Sequence, residues 1–180
     1  MTPLTADQLL RIMPDAGARA VTYLQPLGAA CDEFDITTPR RRAAFLAQIA
    51  HESGQLHYVK EIADGSAYEP PSQKATDLGN TQPGDGRRFP GRGLLQATGR
   101  GMYERLSKAL NVDLVAAPEL LEDAPLAARS AGYIWTIDKH CNALADVDQF
   151  GAITHRINGG YLGIDSRITF WLRARKTEGL

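Results

Sequence analysis

The chain has 180 residues, 43% of them hydrophobic and 23% charged. That is the size and usage of one globular domain, and it sets aside disordered, collagenous and coiled-coil proteins. Twenty Lys and Arg against 21 Asp and Glu leave a net charge of −1, so no overall basic field recommends nucleic acid or an anionic membrane surface as the main partner.

Residues 1–180 are expected to form a single domain without an export signal, since Pro3, Asp7, Pro14, Asp15 and Pro26 interrupt any apolar core near the start. Cys31 and Cys141 lie far apart, without C-x-x-C spacing or a Cys/His cluster. Buried free thiols are expected, with one disulfide as the alternative, and neither implies redox chemistry or structural zinc.

Thr5-Ala6-Asp7-Gln8 has the pattern of a capping box ahead of Leu9, Leu10, Ile12 and Met13, and Pro14 closes that helix. A second helix is predicted from Asp15 through Ala20, Val21 and Leu24, interrupted by Pro26 and Gly28 before Ala29, Ala30, Cys31 and Phe34. Thr37 or Thr38 followed by Pro39 starts a third, which continues through Ala43 to Ile49 until Gly54 supplies a left-handed stop. Asp64 to Gly93 is rich in Pro, Gly, Asn and Asp, a composition that fits neither a long helix nor a regular sheet. Irregular stretches of that length inside a domain usually carry function.

Helical spacing resumes from Gly101 through Tyr103, Leu106 and Leu110, then over Pro125–Ile137 and Gln149–Ile157, before Asn158-Gly159-Gly160 breaks it. A last helix over Ile164–Lys176 sets Ile164, Ile168, Trp171 and Leu172 on one face, with Arg167, Arg173, Arg175 and Lys176 between them. The predicted fold is mainly α, with at most a small β element in the irregular stretch.

Phe45, Ile49 and Glu52 share a stripe, so the carboxylate of Glu52 continues an apolar face at a helix end. Burial there would favour the protonated acid, the form a general acid needs in glycoside hydrolysis. Glu61 follows beyond the Gly54 break and could act as a base across a groove, with Asp64, Glu69 and Asp85 as competing candidates. His51-Glu52 lacks the second His four residues on that a zinc protease requires, since Gln55 stands there. The glycine-rich run Gly84–Gly93 lacks a Gly-Lys-Ser/Thr ending and a preceding strand, and no Gly-x-Ser-x-Gly elbow occurs.

Three separated motifs together resemble the family 19 glycoside hydrolases. They are Phe45–Gly54 (FLAQIAHESG), Gly84-Asp85-Gly86 with Gly91–Gly99 (GRGLLQATG), and Ile157-Asn158-Gly159-Gly160. The resemblance spans about residues 40–170, and within the family it is to the compact bacteriophage endolysins more than to the plant chitinases.

It implies a lysozyme-like, two-lobed helical domain with a small β or irregular element lining the groove. The implied activity is cleavage of a β-1,4 bond beside an N-acetylated sugar, with inversion. By position, Glu52 matches the family's general acid, Glu61 the base that activates water, and Thr98 the hydroxyl that holds that water. Gln96 and Asn158 match sugar-contacting amides, while His51 and Arg167 match a histidine and an arginine near the carboxylates. Tyr103 is the aromatic of the segment in which relatives carry Asn where this chain has Met102, and it joins His51, Gln96, Asn158 and Arg167 as a substrate-binding candidate.

The expectation drawn from the resemblance is a monomeric, cofactor-free and metal-free endolysin acting on peptidoglycan glycan strands. It would be made in the host cytoplasm and reach the periplasm and wall once a holin opens the membrane. The basic C-terminal helix could disturb an anionic membrane, although a core-docking helix with a solvated basic face is the favoured reading. An endochitinase acting on soluble chitin oligomers, a lytic transglycosylase and a silent wall-binding module are the alternatives.

Overall fold

The computed structural model describes residues 3–180. In chain order its helices are α1 (Ala6–Ile12), α2 (Arg19–Glu33), α3 (Pro39–Glu52), α4 (Gln73–Asp77), α5 (Asp85–Arg88), α6 (Arg100–Leu110), α7 (Ala124–Tyr133), α8 (Cys141–Asp146), α9 (Phe150–Asn158) and α10 (Ile164–Thr177). Short 3-10 turns and one π-turn, Ile134–Asp138, join them. The only β pairing among the described residues is two isolated bridges, Lys60 with Arg92 and Arg92 with Ala97. The mainly helical expectation therefore holds, with the small β element inside the irregular stretch.

The capping box forms as expected: Gln8 N–H donates to Thr5 Oγ1, and Thr5 N–H donates to Gln8 Oε1 at 2.9 Å. Of the two threonines before Pro39, Thr38 is the cap, accepting from Arg41 N–H at 3.2 Å. α3 is the axle of the molecule. Its residues Ala43–Ala50 are all buried, Phe45 meets Trp135 edge-on at 5.4 Å, and α10 lies along it with α1 packed on both.

α2 differs from its predicted course, since it runs unbroken through Pro26 and Gly28. Proline costs a helix one hydrogen bond and a clash. Here Ala20, Tyr23, Leu27, Ala30 and Cys31 are buried at helical spacing, largely against α7, and burial of that stripe outweighs the local penalty. α8 was not anticipated, because its buried residues, Cys141 and Ala145, make too short a pattern to stand out.

α10 also differs from expectation. Ile168 and Leu172 are exposed, at 37% and 57%, and the inward positions are Arg167 and Ala174. Charge complementarity sets this face. Arg167 pairs with Glu52 at one end of α3, and Glu178, just beyond α10, pairs with Arg42 at the other. Trp171 does pack inward, stacked on Phe150 at 4.6 Å. No helix among the described residues is long and apolar enough to cross a membrane.

Candidate active site

Glu52 ends α3 in line with buried Phe45 and Ile49, and its side chain is 20% exposed. The sequence pattern predicts apolar surroundings, but the carboxylate meets a guanidinium: Arg167 Nη2 donates to Glu52 Oε1 at 2.6 Å. Arg167 is 1% exposed, where an unpartnered charge would be strongly unfavourable. Its Nη1 donates to Gln48 Oε1 and its Nε to the Leu162 carbonyl at 3.3 Å. Gln48 in turn donates to Thr154 Oγ1 at 2.9 Å, fully buried. Side chains of α3, α9 and α10 thus hold Glu52 by one oxygen, while Oε2 accepts no hydrogen bond from the described residues.

The expectation that Arg167 touches substrate is corrected by its burial; it acts behind Glu52. His51 lies beside this network. Its ring packs against Gly163, where an added Cβ would come within 2.4 Å of Cε1, and its Nδ1 is 3.1 Å from Ser166 Oγ. Burial, reinforced by the Arg167 charge and opposed by Glu52, pushes the His51 imidazole below its ordinary range, so the ring is neutral at neutral pH. Contacts from His51 and Arg167 tie down the segment 159–163, which presents Tyr161 and Leu162 at 59% and 80% exposure. Asn158, just before it, is exposed, and its side-chain amide bonds to none of the described residues.

The chain leaves α3 through three successive left-handed residues, Gly54, Gln55 and Leu56. Buried Ser53 holds this turn by donating to the Ile49 carbonyl (2.7 Å) and accepting from Leu56 N–H (2.8 Å). The following residues pair with the glycine-rich run. Glu61 N–H donates to the Gly91 carbonyl, and Gly93 N–H to that of Val59, both at 2.9 Å.

Glu61 is gripped at both oxygens: Oε1 accepts from Gly91 N–H at 2.8 Å and Oε2 from the Tyr68 hydroxyl at 3.0 Å. A Cβ on Gly91 would stand 2.6 Å from Gln96 Oε1 and 3.1 Å from Thr98 Oγ1, so a side chain there would push the Gln96 amide away from the Glu61 cradle. Gln96 has φ 54°, its Nε2 donates to the Gly93 carbonyl at 3.1 Å, and Thr98 Oγ1 donates to the Gln96 carbonyl at 3.1 Å. Gly91→Ala is expected to lower turnover by about tenfold or more through misplacement of this cluster, with the fold retained by circular dichroism; unchanged turnover would show that the close approach is unimportant.

The competing acids are committed elsewhere. Glu69 accepts from Gly84 N–H and Arg87 N–H at 2.9 and 3.0 Å at the start of α5. Asp85, 2% exposed, accepts from the Thr81 and Gln82 amides and from Arg100. Burial alone would raise its pKa, but Arg100 and those amides outweigh it and hold the carboxyl below its usual range. Asp64 lies exposed, 3.8 Å from Arg87. Of the four, Glu61 is the one bonded to Gly91, the residue on which Gln96 and Thr98 close.

Tyr103 as a substrate contact is corrected: it is completely buried, packed on Phe89 at 5.0 Å. Its hydroxyl donates to the Pro90 carbonyl at 2.9 Å and accepts from Arg92 at 3.0 Å. Burial, opposed by Arg92, pushes this phenol up to about 12. Arg92 also binds Glu122 at 2.7 Å, so Tyr103 and Glu122 brace the bridge that carries Gly91 from beneath.

Sequence reasoning missed Gln48, Thr154 and Tyr68. Gln48 left a signal, as the one amide within the buried run Ala43–Ala50. Tyr68 left none, because its approach to Glu61 depends on an irregular backbone.

Comparison with known proteins bears on this geometry. An endochitinase of Arabidopsis thaliana is 31% identical over the whole chain, which spans 64% of that protein. A family 19 glycosyl hydrolase domain protein of Haemophilus influenzae is 29% identical over 86% of the chain and 88% of its own length. The crystal structure of a bacterial family 19 chitinase superposes with a TM-score of 0.78 at 25% identity, over 98% of this chain and 95% of that one. In sequence and fold the chain is similar to the family 19 glycoside hydrolases.

Chitinase C of Streptomyces griseus, another solved relative in name and fold, gives a TM-score of 0.77 at 25% identity, over 97% of this chain and 76% of that one. No protein-family model matches the chain. It covers less than two thirds of the Arabidopsis endochitinase and 40% of a maize one, endochitinase B. The fold shared with the bacterial family 19 chitinase accounts for the mainly helical body. Among the described residues no group of His, Cys, Asp and Glu could hold a metal ion.

Proposed function

We propose that this family 19-like protein hydrolyses β-1,4 glycosidic bonds of peptidoglycan strands by inversion, as a monomeric phage-type endolysin without a cofactor. The observation that carries the reading is the pair of glutamates on either side of the Gly54–Leu56 turn, each held by donors at defined atoms. Glu52, fixed through Oε1, has Oε2 free to deliver a proton to the leaving oxygen. Glu61 keeps further lone pairs on both oxygens to take a proton from water, and the Thr98 hydroxyl, close to Gly91, is assigned to orient that water. Asn158, Gln96 and the exposed Tyr161 and Leu162 offer amide and apolar contacts for an N-acetylated sugar chain.

The motif resemblance to phage endolysins supports peptidoglycan as the polymer, and the buried free thiols at Cys31 and Cys141 suit a fold without a disulfide framework. In this setting the enzyme waits in the host cytoplasm, and a holin gives it access to the periplasm and wall. The C-terminal helix has no assigned membrane role: Arg175 pairs with Asp148 at 2.5 Å and lies over Trp171. A second reading, hydrolysis of chitin oligomers, is favoured by the names of the relatives, several of which are endochitinases.

Product analysis on purified peptidoglycan and on chitin oligomers separates the two. New reducing ends and hydrated muropeptides are expected on peptidoglycan. Activity confined to chitin would move the substrate assignment, 1,6-anhydro products would indicate a transglycosylase, and binding without cleavage on either polymer would leave a wall-binding module.

A further inference from the structure

Beyond the two glutamates, one side chain in the irregular segment is built into the site with no obvious structural need. Tyr68 ends a 3-10 turn, Ser66–Tyr68, and is half-buried. Its hydroxyl reaches Glu61 Oε2 at 3.0 Å. The ring is capped by Lys74, whose Nζ lies 4.4 Å from its centroid. Its carbonyl accepts from Asn80 Nδ2 at 2.9 Å, and buried Asn80 uses its Oδ1 to accept from Arg100 N–H at 2.8 Å.

The backbone behind it is packed glycine on glycine. A Cβ on Gly65 would lie 2.1 Å from the Gly86 carbonyl oxygen, and one on Gly86 would lie 2.7 Å from the Tyr68 carbonyl carbon. The Gly84-Asp85-Gly86 motif holds no acid that reaches the Glu61 cluster. Its Asp85 clamps Arg100 and its Gly86 seats the turn that presents Tyr68.

We propose that Tyr68 is a positioning residue for Glu61, its phenol fixing the carboxylate rotamer and stabilising the anion that takes the proton from water; this rests on Glu61 as the water-activating base. A carboxylate anchored only through Oε1 to the Gly91 amide could still swing about that bond. The second donor on Oε2 fixes the carboxylate plane. A phenol suits the task because it donates to the anion and can rotate its proton away when Glu61 becomes protonated. The phenol itself is raised above its ordinary range, first by burial and then by Glu61, so it stays a donor through neutral pH.

The other charges nearby are engaged. Lys74 sits on the ring face, Lys60 and Arg92 are held by Glu122, and Glu69 is spent on the Gly84 and Arg87 amides. The hydroxyl of Tyr68 therefore has Glu61 as its one anionic partner among the described residues.

The test uses full-length wild type, Tyr68→Phe and Glu61→Gln. On whichever polymer wild type cleaves, Tyr68→Phe is expected to lower kcat by about 10–100-fold. KM should change little. Independently of activity, the 13Cζ resonance of Tyr68, assigned by its absence in Tyr68→Phe, should shift in Glu61→Gln at neutral pH.

An unmoved resonance would show that the bond does not exist in solution and overturns the proposal. A Tyr68→Phe enzyme with wild-type kcat also overturns it, while leaving the hydrolase reading intact. Wild-type silence on both polymers removes the hydrolase reading and, with it, any role for Tyr68 in activating water.

Discussion

Replacing Glu52 with Gln is expected to reduce glycan hydrolysis by about 10²–10⁴-fold, the range over which a single positioned acid or base contributes, while leaving the fold intact. The amide is close in shape, and its carbonyl oxygen can still accept from Arg167 Nη2, as Glu52 Oε1 does. What disappears is an oxygen that can carry and deliver a proton.

Glu61→Gln is expected to lose activity on a similar scale. Its amide oxygen keeps the Gly91 N–H bond, and its nitrogen donates to Tyr68 once that hydroxyl turns round to accept. Folding is checked by thermal melting of each variant and activity by reducing-end release. A Glu52→Gln protein that cleaves at the wild-type rate would mean that the proton donor lies elsewhere.

The largest stability effect is expected at the other end of α3, where Arg42 and Glu178 form an ion pair with side chains 6% and 1% exposed. Arg42 Nε donates to Glu178 Oε1 at 2.9 Å, and Nη2 donates to Oε2. Taking both ions out of water is costly, so the pair itself contributes little, yet removing Arg42 leaves the Glu178 carboxylate buried without its guanidinium partner. Arg42→Leu should destabilise the protein by about 3–5 kcal/mol, and Glu178→Leu by less. The double variant should recover most of that loss, as seen in a double-mutant cycle by urea unfolding. Additive losses would show that the two side chains do not depend on each other.

Much of the helical frame was legible in the sequence because its signals are local. A capping box at Thr5, a Thr38-Pro39 start and a left-handed stop after Glu52 depend on neighbours within one turn. Pro26 misled because a local penalty is set against long-range burial on α7, which a window of residues does not contain. Ile168 and Leu172 misled for a related reason. Periodicity counts apolar residues, but the face of α10 is chosen by Arg167, whose partners Gln48 and Glu52 lie more than 100 residues away.

At the candidate site, motif position named the two glutamates, Gln96, Thr98 and Asn158. It could not show that Tyr103 and Arg167 point inward, since the motif identifies residues and burial depends on what packs over them. Tyr68 was illegible because nothing periodic marks a residue placed by two glycines pressed together.

The two cysteines have a practical consequence. Cys31 on α2 and Cys141 on α8 are 1% and 0% exposed, and burial pushes both thiols up to about 12. Alkylating reagents attack the thiolate of an accessible sulfur, so each sulfur reacts only when its own part of the molecule opens. The chain therefore carries two natural timers of opening. A faster rate at Cys141 would register release of the short helix α8 alone, and equal rates would register collapse of the whole cooperative unit.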